Sequence, residues 1–122
     1  MSYVDGFVLA VPREKIDAYK EMARTAGSVW MEYGAQAYVE CLGDDVPMGE
    51  LTSFPRAVQA RDGEIVVFSW VVYADRKARD EVIAKVMADP RMKPDPATMP
   101  FDGKRMIFGG FEAFLELTPG SS

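Results

Sequence analysis

A chain of 122 residues, 48% hydrophobic and 27% charged, fits one globular domain with a core of its own. Its net charge of −5 argues against a nucleic-acid partner, which relies on lysine and arginine neutralising phosphates, and no apolar run reaches the roughly 20 residues of a membrane span. With no histidine and one cysteine, Cys41, the chain cannot build Ser-His-Asp or Cys-His sites, histidine-ligated haem or the common zinc sites.

Residues 3–11 alternate Val4, Gly6, Val8 and Ala10 with Asp5, Phe7, Leu9 and Val11, a β-rich run apolar on both sides that predicts a central strand. Pro12 suits the first position of a helix, and Ile16, Tyr19, Ala23, Ala26, Trp30 and Tyr33 recur at helical spacing up to a C-terminal cap at Gly34. A second strand is predicted over 35–43, with Gln36, Tyr38, Glu40 and Leu42 opposite Ala35, Ala37, Val39 and Cys41. The segment 44–63 ends in Arg61-Asp62-Gly63-Glu64, which reads as a hairpin turn, so residues 56–60 are expected to pair with the start of the third strand.

The third strand, 65–73, is the most β-prone stretch of the chain. Asp75 is an expected N-cap for a helix whose inward stripe is Ala78, Val82, Ile83, Val86 and Met87 and which stops before Pro90. Residues 89–105 hold four prolines and read as a long loop, a lid or a dimer-packing arm. The last strand is predicted over 106–117, with Gly109-Gly110 marking a bulge or a close backbone approach. A single domain over 1–118 is expected, with 119–122 as a frayed tail.

The pattern is strand-helix-strand twice, an α+β chain with an antiparallel sheet. Two helices cover one face of such a sheet, so its second apolar face calls for another sheet, most simply from an identical chain. A homodimer is therefore expected. The N-terminal residues lack the features of a secretory signal and one cysteine cannot form an internal disulfide, so the expected compartment is the cytoplasm.

Polar groups that interrupt apolar strands are the candidates for chemistry. Asp5, Glu40 and Glu112 fall beside Phe7, Tyr38 and Phe114; two carboxylates on one partly buried face would give a general acid or base. The alternative is that they pair with Arg56, Lys104 or Arg105. Tyr38, Phe68, Ser69, Trp70 and Phe108 are candidates to line a pocket for a small hydrophobic or aromatic molecule, against the alternative of core or dimer packing. Cys41 lacks a histidine to activate it and reads as a small buried hydrophobe. Arg76, Lys77 and Arg79 read as a solvated face, and Gly43-Asp44-Asp45 as a turn without metal-loop spacing. Neither a metal nor a cofactor is expected.

Longer strings carry a resemblance. Tyr-Val-Asp-Gly-Phe at 3–7, Tyr-Val-Glu-Cys at 38–41, Gly-Asp-Asp-Val-Pro at 43–47, Thr-Ser-Phe-Pro-Arg-Ala-Val at 52–58, Val-Phe-Ser-Trp at 67–70, Lys-Val-Met-Ala-Asp-Pro-Arg at 85–91 and Met-Pro-Phe-Asp-Gly-Lys-Arg-Met-Ile at 99–107 resemble the YbaA-like family of bacterial proteins. The resemblance covers nearly the whole chain. It implies the dimeric α+β-barrel superfamily, a ferredoxin-like βαββαβ unit whose sheets pair across a two-fold axis. The family is one of unknown function, so no residue inherits a role. The wider superfamily includes cofactor-free monooxygenases, dehydratases, isomerases and haem-degrading proteins that act between helices and sheet. Two readings stay open: a homodimer binding a small hydrophobic or aromatic molecule, and a cofactor-independent enzyme with a carboxylate as general base. Either site is expected where Asp5, Glu40 and Trp70 approach the 89–105 segment.

Overall fold

The computed structural model describes residues 1–93 and 95–120. Pro94, inside the proline-rich loop, and Ser121 and Ser122, at the end of the expected tail, lie outside the described residues. Four strands, β1 (Tyr3–Pro12), β2 (Ala37–Leu42), β3 (Glu64–Tyr73) and β4 (Ile107–Glu112), alternate with α1 (Ile16–Glu32), a one-turn α2 (Phe54–Ala57) and α3 (Arg76–Ala88). The sheet order is β2-β3-β1-β4 and each pairing is antiparallel. The strands apolar on both sides, β1 and β3, take the centre, each flanked by a strand on either edge.

Register fixes the faces. Asp5, Phe7, Leu9 and Val11 of β1 lie level with Val71, Ser69, Val67 and Ile65 of β3 and point toward the helices. From β2 the same side receives Tyr38, Glu40 and Leu42, and from β4 Phe108, Gly110 and Glu112. Val29 and Trp30 of α1 and Val82 and Val86 of α3 close over Val71 and Tyr73, while Tyr19 packs with Leu9, Val11 and Val67. At roughly 25 cal/mol per Å² of apolar surface removed from water, these contacts supply the main driving force for closing the layers.

Local chemistry sets the ends. Pro12 closes β1 rather than opening a helix: it lies level with Glu64, and a 3-10 turn, Arg13–Lys15, intervenes before α1. Gly34, at φ +119°, turns the chain out of α1 as expected. Asp75 caps α3 by accepting from the Ala78 N–H at 2.8 Å.

Further expectations change. Residues 56–60 form no strand: Ser53 caps α2 by accepting from the Arg56 N–H, Pro55 occupies its first turn, and Arg56 donates to the Met48 and Gly49 carbonyls. The Asp62-Gly63 turn is present, but the start of β3 pairs with the end of β1 instead. Val58, carried past the sheet by this segment, is buried against Val8, Ala10 and Val66 and so covers one end of the face away from the helices. β4 stops at Glu112 rather than 117, because its partner β1 begins at Tyr3; one more bond, Ala113 N–H to the Ser2 carbonyl, extends it. Gly109 and Gly110 leave the register unbroken, and a Cβ at Gly110 would fall 2.9 Å from an Arg79 nitrogen, so the glycine serves a close approach.

The rest of the face opposite the helices is open. Val4, Val39, Phe68, Trp70, Val72, Ile107 and Phe111 are half-buried or exposed there, Phe111 by 65%. Cys41, expected to be buried, is an exposed free thiol on this side.

Candidate functional site

Between α1 and the sheet lies a cavity of about 470 Å³, within the range of small-molecule sites. Its floor is Phe7, Leu9, Ser69 and Val71; α1 contributes Tyr19, Met22, Ala26 and Trp30; and the 89–106 segment closes it with Arg91, Met92, Met99, Phe101 and Met106. Counting Met87, five of the eight methionines face this one space, where flexible thioethers and aromatic rings make an adaptable apolar lining.

The covering segment is held by repeated local chemistry. Asp89, Asp95 and Asp102 each accept a backbone N–H two residues on, from Arg91, Ala97 and Lys104, and each starts a 3-10 turn. One end is tied to the Glu32–Tyr33 end of α1: Tyr33 donates to Asp89 at 2.7 Å, and Arg91 bridges Asp89 and Glu32. Arg91 first, then Tyr33, hold the Asp89 carboxyl well below the usual range. The other end is tied to the start of β3, where Arg105 pairs with both oxygens of Glu64 and reaches the Gln59 carbonyl. The Arg105 hydrogen bonds hold Glu64 at about 2.

Glu40 is the polar pole of the cavity. One carboxylate oxygen accepts from Tyr19 and the other from Tyr38, both at 2.7 Å, and no lysine or arginine among the described residues forms an ion pair with it. Burial first, with the Glu40 hydrogen bond and charge adding to it, pushes both phenols well above their ordinary value, so they stay protonated and keep donating. Gly27 positions this group: a Cβ there would come within 2.9 Å of the Tyr38 ring, which lies flat on α1 in the space. Outside this wall, an open groove lined by Lys20, Arg24 and Ser28 shares Tyr19, Tyr38 and Glu40 with the cavity.

Asp5 has a different environment. It is 3% exposed, accepts from the Tyr73 hydroxyl at 2.8 Å, and receives Nε and Nη of Arg79 at 3.0–3.2 Å. Tyr73 in turn accepts from the Trp30 indole N–H at 2.9 Å. The cation that neutralises Asp5 is thus Arg79 of α3, not Arg56, Lys104 or Arg105, and Arg79 leaves the surface cluster in which the sequence placed it. Glu112 is exposed on β4. The three carboxylates all face the helix side of the sheet, yet among the described residues no hydrogen bond or common partner joins them.

The aromatic candidates divide. Tyr38 and the buried Ser69 line the cavity, and the Ser69 hydroxyl makes no hydrogen bond among the described residues. Phe68 and Trp70 lie on the opposite face, edge to face at 5.5 Å, with Phe54 against Phe68. Trp70 therefore does not approach Glu40 or the 89–106 segment. Phe108 lies on the helix side, stacked on Phe7 at 6.4 Å and largely exposed. Tyr19, Trp30, Phe101 and the methionines were not among the sequence candidates; the recurrence of methionine at 87, 92, 99 and 106 was the available signal.

A family model described as "Protein of unknown function (DUF1428)" matches residues 2–103. The chain is 53% identical over 116 residues, 95% of its length, to "Uncharacterized protein YbaA" of Escherichia coli, of which the match covers 99%. The YbaA of Shigella flexneri matches at the same 53% identity and coverage. The chain therefore belongs to this YbaA-like family of proteins of unknown function.

Proposed function

We propose that this protein is a homodimer that binds a small hydrophobic or aromatic molecule in the cavity between α1 and the sheet. The observation that carries the reading is the roughly 470 Å³ space, partly covered by the 89–106 segment and lined by methionines and rings around a single carboxylate pole. A core meant only for packing would fill such a volume, because voids of this size forfeit dispersion contacts. The test is native mass spectrometry of protein purified under mild conditions, with Trp30 fluorescence following added aromatic probes. Retained or saturable ligand supports binding; an interior that takes up no apolar probe overturns it.

Each chain in this reading is a ferredoxin-like βαββαβ unit, and two such units close their open sheet faces on one another as a dimeric α+β barrel. Support comes from the strand order, and from the scarcity of charge on that face, where the one charged strand residue, Glu64 at the start of β3, is paired with Arg105. A second copy suits it because a largely apolar sheet face is complementary to itself, and about 800 Å² per partner is a standard interface. Phe114, Leu115 and Leu117, beyond β4 and strongly exposed, would extend the contact as an arm. Sedimentation at micromolar concentration should give twice 13.6 kDa; a stable monomer overturns the pairing. The free thiol of Cys41 suits a reducing compartment, and we place the protein in the cytoplasm.

A second reading, a cofactor-independent enzyme, is favoured by Glu40 alone, a carboxylate at a cavity wall that forms no ion pair among the described residues. Asp5, already matched with Arg79, takes no part in it. A bound molecule with an acidic C–H, turned over by the wild type and not by Glu40→Gln, would establish it.

A further inference from the structure

We propose that the cavity selects an organic cation, a protonated amine or quaternary ammonium on a compact apolar or aromatic body, with Glu40 as its counter-ion. The inference rests on the reading of the cavity as a binding site and names the chemical class that the site prefers.

Both oxygens of Glu40 accept hydrogen bonds, but from neutral phenols, so the pair orients the carboxylate without cancelling its charge. A partly buried carboxylate without a counter-ion is stabilised by any cation that can reach it. The other charged residue on the cavity wall, Arg91, is matched by Asp89 and Glu32, so the lining offers an anionic ligand no free cation.

The rings favour the same class. The Trp30 N–H is taken by Tyr73, and the Tyr19 and Tyr38 hydroxyls are taken by Glu40, so ring surface is what these residues have left to present. Trp30 and Tyr38 stand 5.9 Å apart at a tilt of 43°, and Tyr19 meets Phe101 edge to face at 5.8 Å, so four rings gather next to a carboxylate, and any face they turn to the cavity attracts an ammonium group. The methionines then accommodate the apolar body.

The test is calorimetric titration of the full chain at neutral pH with benzylamine, benzyl alcohol and benzoate, which share a ring and differ in charge. Benzylammonium should bind about tenfold or more tightly than the alcohol, the scale of a hydrogen bond to a charged group, with benzoate weakest. Glu40→Gln should bring the amine down to the level of the alcohol. Equal affinity for amine and alcohol in the wild type, or an amine preference that survives Glu40→Gln, overturns the cation inference while leaving the cavity reading intact. Binding of none of the three overturns both. The wild-type ranking decides the matter even where Glu40→Gln fails to fold.

Discussion

Tyr73→Phe removes one oxygen from the centre of the chain Trp30–Tyr73–Asp5–Arg79 and leaves the packing ring in place. Tyr73 is 0% exposed, so water cannot replace what the hydroxyl gives: an acceptor for the Trp30 N–H at 2.9 Å and a donor to Asp5 at 2.8 Å. The bond to the carboxylate is of the charged kind, worth about 1.5–3 kcal/mol, and the stranded indole N–H adds about 1–3 kcal/mol. Asp5 keeps Arg79, so no unpaired charge is created, and the two losses share one oxygen and do not add in full. The expected cost is about 3 kcal/mol, a large part of the 5–15 kcal/mol that holds a domain together. Urea unfolding of the wild type, Tyr73→Phe, Trp30→Phe and the double variant, followed by far-ultraviolet circular dichroism at one fixed protein concentration, gives the cost and the Trp30–Tyr73 coupling. A loss below about 1 kcal/mol, or a coupling near zero, would refute the claim that this chain of hydrogen bonds helps to fasten α1 and α3 to β1 and β3.

Three further outcomes are expected. Glu64 is held at about 2 against an ordinary 4.5, chiefly by Arg105; with the folded value depressed, its contribution is full above about pH 4.5 and is lost as pH falls toward 2. Arg105→Gln should therefore flatten the stability change in that window, as read by circular dichroism across an acid titration. Trp70→Lys, which puts a charge on the open sheet face, should give a folded monomer of 13.6 kDa by sedimentation; an unaltered dimer would move the interface elsewhere. Gly27→Val should push Tyr38 off α1 and weaken binding of an apolar probe by tenfold or more, with little effect if the Tyr38–Glu40 contact is not part of the site.

The central strands were legible because β1 and β3 are apolar on both sides, and a strand of that kind belongs at the centre of a sheet, flanked by other strands. The caps at Asp75 and Gly34 were legible for a comparable reason, each being a local answer to a local need. Misreadings occurred where the answer lay far along the chain. The alternation through residue 117 suggested a long β4, but a strand extends only as far as its neighbour, and β1 begins at Tyr3. Likewise the Asp62-Gly63 turn announces a reversal without naming the strand that follows it. The Ser53-Phe54-Pro55 string, a cap followed by proline in a first turn, was the better guide to α2.

The site divides along the same line. Asp5 and Glu40 give the same signal in sequence, a carboxylate interrupting an apolar strand, and they end in opposite conditions. Asp5 is met by Arg79, 74 residues away on α3, and becomes a fastening between a helix and the central strand. Among the described residues Glu40 is hydrogen-bonded only by Tyr19 and Tyr38, both neutral, beside a cavity. Which carboxylate finds a cation depends on where α3 crosses the sheet, and no spacing within a strand encodes that. The methionines escaped notice for a related reason: Met92, Met99 and Met106 recur at even spacing, but in a segment of capped 3-10 turns that spacing is no helical or strand repeat, and only the fold shows that all three line one space. A charge on an apolar strand thus reads from sequence as a question with two physical answers, ion pairing or recognition, and in this fold the placement of one arginine assigns the first to Asp5 and leaves Glu40 without an ion pair among the described residues.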